Sequence, residues 1–219
     1  MRPMSILWMA GLAAAGLSQD FANKPLDLNG DNGPFSELNQ QQICDEFTSA
    51  ISGQVAHVTL WGNGYFKGDP FNTGDLLDFR LRMYADVGGG PGIDSFFDVS
   101  TELRITDTGI DHEYGDRIYQ FDSAIAGPTL AAGTVYYFEA LEADPDTHNN
   151  WFRWNNSAVD ASPQYVRYSE LDPWSPNNDL LRRNRAFVLS PVPEPGALAI
   201  LGLGLAALLK KRGGALRGR

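Results

Sequence analysis

One cysteine in 219 residues leaves no partner for an intramolecular disulfide. Cys44 falls in Ile43-Cys44-Asp45-Glu46-Phe47, which reads as a strand. Its two acidic neighbours raise a thiol pKa, so a buried, inert side chain is expected there. Basic residues are scarce too. Between Gln19 and Pro195 stand 11 basic and 27 acidic residues, a net charge of −16 against −10 for the whole chain. A surface so acidic repels nucleic acid and anionic lipid. Divalent cations, polysaccharide bridged by them, or plain solubility outside a cell suit it better.

Catalytic signatures are also missing. The chain has no G-x-S-x-G, no H-E-x-x-H and no glycine-rich phosphate loop before a helix. His57, His112 and His148 lack metal-ligand spacing. With 27 acidic residues, some carboxylate pair will reach glycosidase separation by chance. Nor is there a long hydrophobic run. The longest, Gly196 to Leu209, has 14 residues. As a helix it spans ~21 Å at ~1.5 Å per residue, short of the ~20 residues a bilayer core needs.

That short run has informative neighbours. Val192, Pro193, Glu194 and Pro195 precede it, and Lys210, Lys211 and Arg212 follow. A core helix would show polar residues at helical spacing, and this run shows none. The cations at its end favour a cytoplasmic tail with the rest of the chain outside. The arrangement resembles the PEP-CTERM sorting signal of Gram-negative bacteria. The resemblance implies an exosortase as partner, export, and a precursor held transiently in the inner membrane by its C-terminal helix. At the other end, Arg2 precedes an apolar stretch from Ile6 to Leu17, and Gly16 and Ser18 suit a cut after Ser18. This has the shape of a secretory signal peptide. The expected organisation is a signal peptide over 1–18, one domain over 19–190 and a sorting signal over 191–219.

The middle of the chain reads as strands. Asp78 to Asp86 alternates, with Phe79, Leu81 and Met83 on one face and Arg80, Arg82 and Tyr84 on the other. Val55–Trp61, Thr101–Asp107, Arg117–Ile125, Thr134–Glu142, Trp151–Asn155, Tyr165–Tyr168 and Arg185–Leu189 are further candidates. Glycine, proline and asparagine turns separate them. Eight or nine such strands predict an all-β fold, an antiparallel, jelly-roll-like β-sandwich. Several stretches resemble the bodies of PEP-CTERM precursors: Asp45-Glu46-Phe47, Trp61, Tyr84-Ala85-Asp86 before Gly90-Pro91-Gly92, Leu130 to Thr134, Trp151 to Trp154, and Asn178-Asp179-Leu180. The basic cluster Arg182 to Arg185 departs from that pattern and predicts a late start to the last strand.

Two ligand classes are worth weighing. Asp27, Asn29 and Asp31 alternate like the first ligands of a calcium loop, but Asn32 stands where glycine is needed and Leu38 where a bidentate glutamate is needed. A polar turn explains them as well. No cofactor is expected otherwise. Trp154 and Trp174 are candidate glycan contacts. Trp151 and Trp154 lie three apart and face opposite sides of a strand, so one belongs in the core, as does Trp61. The reading is a non-enzymatic, exported envelope or matrix protein. The alternatives are a carbohydrate-binding module for matrix polysaccharide and a hydrolase with an unrecognised site.

Overall fold

Fifteen strands and no helix make up the regular structure of the described residues. The computed structural model describes residues 19–27, 36, 41–66, 69–111, 115–143, 151–160, 163–177 and 183–191. The strands are β1 (Ala22–Lys24), β2 (Gln42–Thr48), β3 (Gly53–Phe66), β4 (Asp69–Pro70), β5 (Leu76–Ala85), β6 (Phe97–Asp111), β7 (Arg117–Ala124) and β8 (Thr129–Leu130). They continue with β9 (Val135–Glu142), β10 (Trp151–Trp154), β11 (Asn156–Asp160), β12 (Gln164–Arg167), β13 (Ser175–Pro176), β14 (Arg183–Arg185) and β15 (Phe187–Pro191). Every pairing is antiparallel. Gln19–Val192 form one compact unit.

One sheet runs in the order β1-β15-β3-β7-β6-β5-β9-β2-β12-β13, with β4, β8 and β10 paired to β3; β11 and β14 form a separate ribbon. The sheet is not flat. Six strand spacings separate β15 from β2 along that order, or about 29 Å at ~4.8 Å each. Yet the rings of Phe47 on β2 and Phe187 on β15 lie 5.9 Å apart. The sheet therefore curls until its two ends face each other, and the core fills the space between, as in a sandwich.

The inward residues follow the period of two. Phe79, Leu81 and Met83 of β5 are fully buried, beside Leu103 and Ile105 of β6 and Phe121 of β7. Edge-to-face rings dominate one half of this core: Phe152 meets Phe79 at 5.0 Å and Phe121 at 5.2 Å. Gly62 makes room for it, since a β-carbon there would stand 2.1 Å from the Phe152 ring. The other half holds Phe138, Trp154 and Phe187.

Two expectations change here. Trp154 is fully buried and its indole N–H donates to the Ala186 carbonyl at 3.0 Å, so it belongs to the core and is unavailable to a glycan. Trp61 is only half-buried. The ladder is irregular near His57: β15 pairs Ser190 with His57 but Pro191 with Val55, so Ala56 is an extra residue in a β-bulge. The late start of the last strand also resolves. Arg183–Arg185 of the basic cluster form β14, and β15 begins only at Phe187.

Candidate functional site

The outward face of β5, β9, β2 and β12 carries the densest polar chemistry of the described residues. Register places Arg82 directly opposite Glu139, and Glu139 opposite Cys44. Tyr84 follows Arg82 by two residues and therefore shares its face. Arg167 pairs with Gln42 on the next strand. The segment 168–174 then lies across them, so this face, unlike an ordinary solvated sheet face, is covered.

Glu139 is the centre of the arrangement and is fully buried. The Tyr84 hydroxyl donates to its Oε2 at 2.6 Å. Arg82 Nη1 donates to the same oxygen at 3.4 Å, and Arg167 Nη2 stands 3.5 Å from it. Arg167 also donates to the Tyr84 hydroxyl at 2.9 Å and to Gln42 Oε1 at 2.7 Å. Burial raises the carboxyl pKa of Glu139, and the Arg167 and Arg82 charges with the Tyr84 bond pull against it. Burial and the Glu139 charge push the Tyr84 phenol well up, so it stays protonated as a donor. The thiol of Cys44, fully buried, is pushed up by the same two causes, away from the thiolate form.

The rim is more exposed. Arg80 grips Asp98 with two bonds of 2.8 and 2.7 Å and reaches Glu170 at 2.8 Å. Arg82 donates to Glu170 as well and to Asp98 at 3.2 Å. The Arg82 bond holds the Glu170 carboxyl below its ordinary pKa. For Asp98 burial pulls upward, but the arginines win and its pKa is lowered. Trp174 is half-buried beneath this rim. The Arg167 guanidinium covers its ring at 4.2 Å, and Tyr84 meets it edge-on at 5.4 Å. Its face is thus already stacked upon.

A second buried cluster joins the ends of the curled sheet. Asp45 of β2 points inward and is fully buried. Lys24 of β1 binds its Oδ2 at 2.7 Å, and the Arg185 backbone N–H donates to the same oxygen at 2.9 Å. Lys24 also donates to the Glu46 carbonyl. Burial raises the Asp45 pKa against the Lys24 charge. Burial pulls Arg185 down to about 10. Sequence reading found neither cluster. The only signal was charge inside strand patterns, which does not say which charges will be buried.

Of the calcium candidates only Asp27 lies among the described residues, partly exposed; Asn29 and Asp31 lie outside them. Among the described residues no group of three or more His, Cys, Asp or Glu side chains is placed to hold a metal ion. No helix among them is long and apolar enough to cross a membrane. Val192 to Pro195, the run 196–209 and Lys210 to Arg212 lie outside the described residues. What the structure does show is their root: β15 ends at Pro191, paired with Val55 in the sheet.

Residues 191–212 match the PEP-CTERM protein-sorting motif. The PEP-CTERM motif therefore begins on the last residue of a paired strand, with no linker. It implies export, processing by an exosortase and a precursor held at the membrane beforehand. The match covers the sorting signal and none of the sheet before Pro191. No curated protein matches the chain.

Proposed function

We propose that the mature chain is a non-enzymatic component of the cell envelope or extracellular matrix, a jelly-roll-like β-sandwich delivered through its PEP-CTERM signal. The observation that carries this reading is the motif at 191–212, rooted without a linker on the last strand of the folded unit. The buried carboxylates favour a structural role over a catalytic one. Glu139 and Asp45, whose pKa values burial raises, are each tied to cations inside the fold. The glycan-binding alternative has lost Trp154 to the core, and Trp174 already stacks under Arg167.

Maturation tests the sorting half of the proposal. Proline disfavours helix at its own position and the one before it, so the Pro193-Glu194-Pro195 sequence suits a protease that reads an unfolded segment. Glu194→Ala with Pro195→Ala should leave unprocessed precursor in the inner membrane, seen by immunoblot of membrane fractions. Normal processing and release of that variant would sink the sorting reading. Incubating residues 19–191 with a glycan array, with and without Ca²⁺, tests the other half; specific binding would replace the structural role with recognition of polysaccharide.

A further inference from the structure

The two chain ends leave the folded unit at the same place. The Ser190 hydroxyl donates to Asp20 Oδ1 at 2.8 Å, and the Phe21 N–H donates to the Leu189 carbonyl at 2.8 Å. Both apolar terminal stretches of the sequence, Ile6 to Leu17 and Gly196 to Leu209, are thus joined to one end of the domain. The C-terminal tether is short. Four residues, Val192 to Pro195, separate Pro191 from Gly196. Fully extended, five steps of chain reach about 18 Å at most. While the apolar run is in a bilayer, this end of the domain cannot stand far from the headgroups.

The composition of that end is unlike the rest of the molecule. The β2–β3 turn and the start of β3, residues 49–56, carry no charged side chain. The same holds for residues 124–135, which close β7, form β8 and open β9. The two segments are laced together: Gly133 N–H donates to the Ser49 carbonyl at 2.8 Å, Ala132 N–H to the Ser52 hydroxyl at 2.8 Å, and Val55 N–H to the Pro128 carbonyl at 3.0 Å. Gly127 lies so close to β3 that a β-carbon would stand 2.7 Å from the Val55 carbonyl oxygen. The β5–β6 loop, residues 86–96, reaches the same end, because Ala85 pairs with Tyr136. There Phe96 packs on Tyr136 at 5.7 Å, and the Tyr136 hydroxyl accepts from Ala131 N–H at 3.1 Å.

That loop leaves large apolar side chains in water. Val87 is 69% exposed, Ile93 74% and Phe96 46%. Exposed apolar residues scattered singly need no explanation, but three on one loop do. The ionised groups at this end are Asp20, Glu46, Asp86 and Asp94, with Glu46 accepting from the same Tyr137 hydroxyl as Asp86. Asp20 and Asp86 are engaged, Asp20 by Ser190 and Asn23, Asp86 by Gly89 N–H and Tyr137. The opposite end, around the β6–β7 hairpin and the start of β5, holds Asp75, Asp78, Asp107, Asp111 and Asp116 against Arg104 and Arg117, the latter paired with Asp107 and Asp111, and stays net negative. An anionic bilayer would repel that end and tolerate the neutral one.

From this we infer that the end built by residues 49–56, 86–96 and 124–135 is a bilayer-facing surface of the precursor, with Val87, Ile93 and Phe96 set into the headgroup region. The inference rests on the membrane-held precursor of the proposed function. It resolves how a domain of net −16 can be held against a membrane it should avoid. Short apolar and aromatic side chains partition into the interfacial layer without spanning it.

The test uses the full precursor in vesicles of phosphatidylethanolamine and phosphatidylglycerol. Ile93→Cys and Ala132→Cys carry an environment-sensitive fluorophore at the neutral end, and Ile110→Cys at the far end; native Cys44 is fully buried and escapes labelling. The neutral-end probes should shift to the blue, be quenched by brominated acyl chains, and show a several-fold lower iodide quenching constant than the far-end probe. Equal iodide access at both ends, or a shielded far end, would overturn the surface assignment. So would shielding that arises only when exosortase is added, since the partner would then be protein. Val87→Asp with Ile93→Asp should still float with the vesicles but lose the shielding; retained shielding also counts against the assignment. Precursor that fails to float at all would overturn the membrane-held reading, and this inference with it.

Discussion

Glu139 shows what a buried carboxylate needs in order to stay. Its partners come from two other strands: Arg82 and Tyr84 of β5 and Arg167 of β12. Removing one member of a buried ion cluster leaves the others charged and unpaired, which costs about 3–5 kcal/mol. Glu139→Ala should lower stability by that much in urea titration with an unchanged m-value. A loss below ~1 kcal/mol would mean water already compensates those arginines. Glu139→Gln keeps an acceptor for Tyr84 and should lose less. Its sense with pH follows from the raised pKa: the fold keeps the Glu139 proton over a range in which the unfolded chain has lost it, so wild type loses stability relative to Glu139→Gln as pH rises through that range. Glu170 and Asp98 have the opposite sense. Their pKa values are lowered, so their contribution is present above the ordinary carboxylate range of about 3.9–4.3 and is lost as pH falls through the folded values. Glu170→Gln with Asp98→Asn should lower the neutral plateau of a thermal-stability profile toward its acid value and so flatten the acid limb. An unaltered acid limb would place the acid sensitivity elsewhere.

The strands themselves were legible because their patterns are local. Asp78 to Asp86 reads as β5, displaced by two residues at its start and one at its end, and Phe79, Leu81 and Met83 take the inner face as the alternation predicts. Its other face was not legible. Arg82 and Tyr84 are buried by the segment 168–174, some ninety residues away, and nothing in an alternation pattern reports that cover. Trp154 is a similar case. Spacing says only that Trp151 and Trp154 oppose each other, while the pairing of β10 with β3 decides which one enters the core. The same pairing explains Gly62. Gly62→Ala would set a methyl 2.1 Å from the Phe152 ring and 2.7 Å from the Arg153 carbonyl oxygen. The ring has Phe79 and Phe121 behind it and the carbonyl belongs to a paired strand, so neither can yield easily. The expected cost is about 1–3 kcal/mol, read from thermal or urea unfolding. A neutral Gly62→Ala would mean that β10 is held more loosely than its pairing suggests.

At the scale of the molecule, one curled sheet is clasped by Lys24–Asp45 inside and coated by negative charge outside. The short strands β1 and β13 terminate the sheet, which leaves little edge for another chain to extend. A net charge of −16 makes the coat self-repelling, and divalent cations should relieve it. Two outcomes can be told apart. A specific calcium site stabilises by RT ln(1 + [L]/Kd), about 2.7 kcal/mol at 100 times Kd. In a domain of this size that is a rise of roughly 5–11 °C in Tm. Diffuse screening gives a smaller rise that Mg²⁺ reproduces at matched concentration. Among the described residues no group of three or more His, Cys, Asp or Glu side chains is placed to hold a metal ion. The expected result is therefore the small, cation-indifferent rise, measured by calorimetry on residues 19–191. A large Ca²⁺-only rise abolished by Asp27→Ala with Asp31→Ala would instead establish the segment 27–31 as a true site.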